Sequence, residues 1–293
     1  MKAQKLAADH LFPTQLLCGV VCAAAIAGWA PVAAQAQTRF TPGPAQVVLP
    51  VSVHAVAASD SNLRAAERDW RRDPKDMSFA VRYARAAFQV GINDGDLRWF
   101  GAAKAALLPW WDAPALTAEG HFVRGLVRQG FHDFAGGLAD FNAAIALDGQ
   151  RSAFWSWRFV VHLLVSDMAE ARKDCDHLLQ RFGAGEGEAC NAVLLYRTGR
   201  AAEGAALLER TVKRPEFQDS GSQDWLRFHL GEAWRVAGEP ARAIAVWEQH
   251  LLQQPRAHTV RLALAELLNG QRRFAEARRI AAGPNPQATP SDA

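Results

Sequence analysis

Small residues recur along this chain at an interval close to 34. Gly137, Ala171, Gly204, Ala243 and Ala277 stand in similar surroundings, 34, 33, 39 and 34 residues apart. The segments around them are FAGGLADFNAAIALDG (134–149), MAEARKDCDHLLQRFG (168–183), RAAEGAALLERTVKRPE (200–216), GEPARAIAVWEQHLLQQP (238–255) and RFAEARRIAAGP (273–284). Each reads as an amphipathic helix. Twelve positions earlier a first helix carries its own marker: Gly125, Phe159 (a departure), Ala192, Gly231 and Ala265. A period of this length means a stack of like units. A helix pair cannot bury its apolar face alone and must lean on the next pair. The fold class is therefore all-α. Small residues let helix axes approach, and one large residue per unit fills what remains, as Phe141, Leu208 and Trp247 do.

The best-formed unit, 224–257, has Leu230-Gly231, Trp234, Gly238, Ala243, Trp247 and Pro255. At these spacings it resembles the tetratricopeptide repeat family. Unit 118–151 follows, with Gly125, Phe141, Ala144 and the ending ALDG. Units 152–184 and 185–223 are weaker; Phe159 and Cys175 replace the small and large residues expected in the first of them. Unit 258–291 has a good first helix, but Ala281 takes the large position. An earlier unit, 77–117, pairs FAVRYARAAFQVG (79–91) with DLRWFGAAKAALLPWW (96–111) across an INDG insertion, and 61–76 reads as a half-unit ended by Pro74. The combination GDLRWF…AALLPWW also resembles an exported bacterial subfamily. The resemblance implies a right-handed superhelical α-solenoid of helix-turn-helix repeats over 61–291.

The N-terminus reads separately. Lys2 and Lys5 precede the apolar run LLCGVVCAAAIAGWA (16–30), and Ala34-Gln35-Ala36 supplies small residues for a peptidase. This is the pattern of a secretory signal over 1–36, cut after Ala36, and the run is short for a membrane span. The expected location is periplasmic or secreted, with no membrane span after cleavage. A retained anchor is the competing reading. The segment 37–60 is non-helical, because Pro42, Pro44 and Pro50 interrupt it. Its apolar stretch 45–56 is expected to lie along the solenoid. The Pro-rich tail from 284 is expected to be disordered.

The full chain carries 33 Lys and Arg against 30 Asp and Glu, interspersed, which argues against a nucleic-acid partner. No nucleophile elbow, phosphate loop or HExxH occurs, and the nine His form no ligand set at metal spacing. The chain is read as not an enzyme, with no cofactor and no metal. Gly183 to Gly187 reads as a turn between units, and Asp140, Asp174, Asp176 and Glu248 as solvated charges on second helices.

Two cysteines follow the leader, Cys175 and Cys190. In an oxidising compartment they are a candidate disulfide; the other reading is two small buried hydrophobes. The repeat register places them on antiparallel neighbouring helices across a short turn, which favours the bond.

First helices of such a stack line a concave face. Carrying the register along, the inward positions are Val81, Arg85 and Phe88, then Phe122, Leu126 and Gln129, then Ser156, Val160 and Leu163. Ala189, Val193 and Tyr196 follow, then Trp225, Phe228, Glu232 and Arg235, and last Leu262, Glu266 and Asn269. This largely apolar and aromatic lining suits an extended or helical segment of a protein or peptide partner. The cluster that captures a peptide carboxylate in some family members is missing. Three functions remain: an interaction scaffold, placed in envelope assembly; a structural or regulatory subunit whose groove is closed by its own 45–56 strand; and a sugar-binding protein or enzyme using Trp110, Trp111, Trp155 and Trp157 at the unit joints.

Overall fold

The computed structural model describes residues 61–283, apart from the Ser220 side chain. The leader, the segment 37–60 with its 45–56 stretch, and the tail from 284 lie outside the described residues. Among the described residues thirteen α-helices follow one another, and no strand occurs. They are α1 (Ser61–Arg72), α2 (Met77–Asp94), α3 (Arg98–Leu107), α4 (Ala118–Gly130), α5 (Phe134–Leu147), α6 (Ser152–Leu164) and α7 (Met168–Phe182). Then come α8 (Ala184–Arg197), α9 (Ala201–Thr211), α10 (Ser220–Val236), α11 (Pro240–Gln253), α12 (His258–Gly270) and α13 (Phe274–Ala282). Short 3₁₀ turns occupy Leu108–Trp110 and Pro215–Phe217.

The even-numbered helices are the first helices of their pairs. Each packs on its own partner and on the next first helix, so α2, α4, α6, α8, α10 and α12 form a continuous inner layer. The turn inside a pair is built one way six times. Gly95, His132, Ser166, Gly199, Gly238 and Arg272 all take positive φ, between 61° and 92°. Directly after them, Asp96, Asp133, Asp167, Arg200, Glu239 and Arg273 each donate a backbone N–H to a carbonyl five residues back, at 2.8–3.1 Å. This is the left-handed helix stop that satisfies the last carbonyls of the first helix. Glycine adopts it freely; His, Ser and Arg hold it at a cost of about 1 kcal/mol or more.

Close approach of the two helices is enforced by glycine. A Cβ on Gly231 would fall 2.1 Å from Cε2 and Nε1 of Trp247, whose side chain is fully buried. One on Gly204 would fall 2.6 Å from the carbonyl oxygen of Ala192. Gly125 would meet Phe141 in the same way, and Gly137 the carbonyl of Gly125. Ala171, Ala243 and Ala277 are also buried. Burying a large side chain in such a slot contributes roughly 1.5–3 kcal/mol. Pro255 stands two residues beyond the end of α11.

Two hydrophobic clusters result, and they meet on α6. Phe154 and Val161 belong to the N-terminal one, Phe159 and Leu163 to the C-terminal one. Cys175 and Cys190 are joined by a disulfide, with Cα atoms 5.6 Å apart, tying α7 to α8.

The structure corrects three boundaries. The INDG segment is not an insertion: α2 continues to Asp94 and stops on Gly95, at φ 65°. The second helix expected over 96–111 is α3, which ends at Leu107 and passes into the 3₁₀ turn at Pro109. Of the expected 183–187 turn only Gly183 is a turn; Gly185 and Gly187 lie inside α8. Gly187 is required there, because a Cβ would fall 2.5 Å from Leu179 Cβ.

Candidate functional site

The inner layer coils until its beginning meets its end. A Cβ on Gly95, after α2, would lie 2.5 Å from Cδ2 of His258, the first residue of α12. The C-terminal end of α2 thus abuts the N-terminal end of α12. Between them the first helices line an open cavity of ≈ 470 Å³. That volume lies within the roughly 300–1,000 Å³ usual for ligand pockets. Gln89, Ile92 and Asn93 enter from α2, Ser152, Ser156, Trp157 and Val160 from α6, and Glu186 and Ala189 from α8. Ser222, Asp224, Trp225 and Phe228 come from α10, His258 and Thr259 from α12, and Phe217 from the preceding 3₁₀ turn.

No Lys or Arg is among the described residues that line it. Its carboxylates are Glu186, which accepts from the Ser156 hydroxyl at 3.3 Å, and Asp224, whose Oδ1 lies 2.6 Å from Nε2 of the buried His250.

Of the expected groove residues, Ser156, Val160, Ala189, Trp225 and Phe228 come together here. Several others do not face it. Phe88, Phe122, Leu126, Leu163, Val193 and Tyr196 are buried in the core. Phe88 stacks on Phe100 at 5.0 Å, and Phe122 lies between Phe141 and Phe154 at 5.9 and 4.6 Å. These positions point at the neighbouring helices, so an inward face drawn a fraction of a turn too wide takes them for lining. Buried Gln129 belongs with them. Val81 and Arg85 border a separate recess of ≈ 360 Å³, where Arg85 pairs with Glu119 at 2.5 Å. Glu232 and Arg235 pair with each other at 2.7 Å, and Leu262, Glu266 and Asn269 are exposed.

Next to the cavity, the Tyr196 hydroxyl lies 2.7 Å from Nδ1 of His229. Burial, with the charge of Arg197 adding to it, pulls His229 down to about 3. The imidazole is therefore neutral at physiological pH, and its Nδ1 accepts from the phenol. Burial raises the Tyr196 phenol well above its ordinary range.

Two carboxylates expected in solvent are buried instead. Asp140 accepts from Arg124 Nε and Nη2 at 2.9 and 2.7 Å and from His121 Nδ1 at 2.8 Å. The Arg128 guanidinium lies 3.2 Å from it. The N–H of Leu116 donates to His121 Nε2, which leaves the ring proton on Nδ1, facing Asp140. Arg124 Nη1 also donates to the carbonyls of Trp110, Trp111 and Ala113, closing the irregular connection before α4. Asp174 repeats the arrangement with Arg158, at 2.5–3.2 Å. Buried backbone acceptors need donors, and a guanidinium supplies several at once. Asp176 and Glu248 are exposed, as expected.

The tryptophans of the joints mostly pack. Trp155 stacks on His177 with ring centroids 3.5 Å apart, and its Nε1 donates to the Gly149 carbonyl. Trp111 carries Lys104 and Arg128 over its ring at 4.9 and 5.4 Å. Only Trp157 of the four turns to the cavity. Its neighbours Phe217, Glu186, Asp224 and His258 had no place in the sequence reading, because they converge only through the coiling of the whole stack.

No protein-family model matches the sequence, and no curated protein matches it either. Solved structures match the fold. The APC/C hetero-tetramer Cut9–Hcn1 aligns with a TM-score of 0.56 and 13% identity, over 77% of this chain and 44% of that one. NprR in complex with its cognate peptide NprX aligns at 0.51 with 12% identity, over 78% and 74%. A tetratricopeptide repeat protein from Parabacteroides merdae aligns at 0.50 with 14% identity, over 80% and 91%. With its recurring helix pairs and its inner layer of first helices, the chain has the fold of the tetratricopeptide repeat proteins.

Proposed function

We propose that this protein is an exported interaction scaffold, not an enzyme, that holds a segment of a peptide or protein partner in the cavity of its coiled inner layer. The observation that carries the reading is the cavity itself, with Trp157, Trp225, Phe228 and Phe217 exposed to it from separate elements. Aromatic side chains held on a rigid frame anchor partners well. NprR, of similar fold, is solved with a bound peptide. The leader pattern over 1–36 and the Cys175–Cys190 bond support work in an oxidising compartment, where envelope assembly is the role we assign it.

The test is a peptide array probed with the purified chain, repeated with Trp225→Ala and Phe228→Glu. Binding to a subset of peptides, lost in both variants while their circular dichroism is unchanged, is the expected result. Binding that survives both substitutions rejects the cavity as the working surface. A chain that binds nothing until 37–60 is deleted is one closed by its own segment. Fractionation of the native host checks export; a cytosolic pool would refute it.

A further inference from the structure

The cavity has a charge as well as a shape. Four first helices, α6, α8, α10 and α12, bring their N-terminal turns to its wall, and a helix start is worth roughly half a positive charge. Four of them amount to about +2. Against this stand Asp219, whose carboxylate caps α10 through the Ser222 N–H, and the lining carboxylates Glu186 and Asp224. The last turn of α2 adds its negative end at Ile92 and Asn93. The balance is negative, and no Lys or Arg among the described lining residues offsets it. Trp157, Trp225 and Phe228 supply faces of negative electrostatic potential on the same wall.

We infer that the group the cavity takes is a cationic side chain, the Lys or Arg of a partner segment, its stem against Trp157 and Trp225 and its head at Glu186 and Asp224. This rests on the reading of the cavity as a peptide site and adds the identity of the anchor. An acidic anchor would face two carboxylates, and a purely apolar one would bring no charge to meet them.

The experiment uses the full chain and acetylated nonapeptides with one apolar flanking sequence and Lys, Arg, norleucine or Glu at the centre. Affinity is read by fluorescence anisotropy. Lys and Arg peptides should bind about 10-fold tighter than norleucine and weaken as salt rises. Glu186→Gln, whose amide oxygen can still accept from Ser156, should remove most of the difference between the Lys and norleucine peptides. Asp224→Asn should act in the same direction. Equal affinity for norleucine and Lys, unmoved by either variant, overturns the cationic anchor and leaves peptide binding standing. Tighter binding of the Glu peptide overturns it in favour of the helix starts. Failure of all four peptides overturns the peptide reading and the anchor together.

Discussion

Helices α4 and α5 meet through Gly125 and Phe141; helices α10 and α11 meet through Gly231 and Trp247, at the same register. Around that contact the two pairs part company. Where the first has Arg124, Arg128 and Asp140, the second has Leu230, Trp234 and Val246. The first pair is locked by a buried ionic cluster. The second is filled by apolar side chains, with Arg242 lying over the Trp234 ring at 3.2 Å. The repeat therefore fixes the size of what fills the slot and leaves its chemistry open. In the first pair the ionic version also serves an irregular connection, 108–117, whose carbonyls need donors. The helix pair α6–α7 shares the ionic device through Arg158 and Asp174.

The largest break in the comparison comes from Asp140→Ala, which strands Arg124 and Arg128 in the interior. Urea denaturation should show a loss of about 3–5 kcal/mol. Converting the pair to its counterpart with Arg124→Leu and Asp140→Val should recover only part of this, because the carbonyls of Trp110, Trp111 and Ala113 then lose their donor. Full recovery would mean that the ionic cluster serves packing alone. On the other side, Gly231→Ala pushes a methyl into the Trp247 indole and should cost about 2–3 kcal/mol. Adding Trp247→Phe, which imitates the Phe141 slot, should reduce that cost; a double-mutant cycle with no coupling would contradict the contact.

Acid sharpens the contrast further. His229 is held near 3 in the folded chain and has its ordinary value, about 6.5, when unfolded. Below pH 6.5 the unfolded chain takes up a proton that the folded one refuses. Stability should therefore fall by about 1.4 kcal/mol per pH unit as pH drops from 6.5 toward 3. His229→Gln should remove that share of the slope in melts taken across this range; an unchanged slope would exclude His229 as its source. The smallest effect belongs to the turns. Ser166→Gly and Arg272→Gly should each stabilise by up to about 1 kcal/mol, read by thermal melts, since Gly199 and Gly238 already hold the same conformation.

The architecture was legible because it is local and repeated. Gly125, Gly231 and Trp247 mark contacts between helices adjacent in the chain, and a period of 34 shows them without any knowledge of the whole. The left-handed turn was visible at Gly238 and hidden at Ser166 and Arg272, where side chains tolerate a conformation they do not favour. Asp140 was misread because a second helix has an outer face in general, while this carboxylate answers an irregular connection that only the packed molecule reveals. Phe122 was misread because an aromatic on a first helix can face the groove or its neighbour, and spacing separates the two by only part of a turn. The cavity was least legible. Asn93 and His258 stand 165 residues apart, and nothing in either neighbourhood announces the other.

Helix-pair arrays ordinarily gain and lose whole units with ease, because each unit touches only those beside it. The contact between Gly95 and His258 withdraws that freedom. A unit duplicated or deleted between them would carry His258 past Gly95 or short of it, and the cavity would come apart. Here the number of repeats behaves as an inherited dimension, as fixed as the position of any side chain.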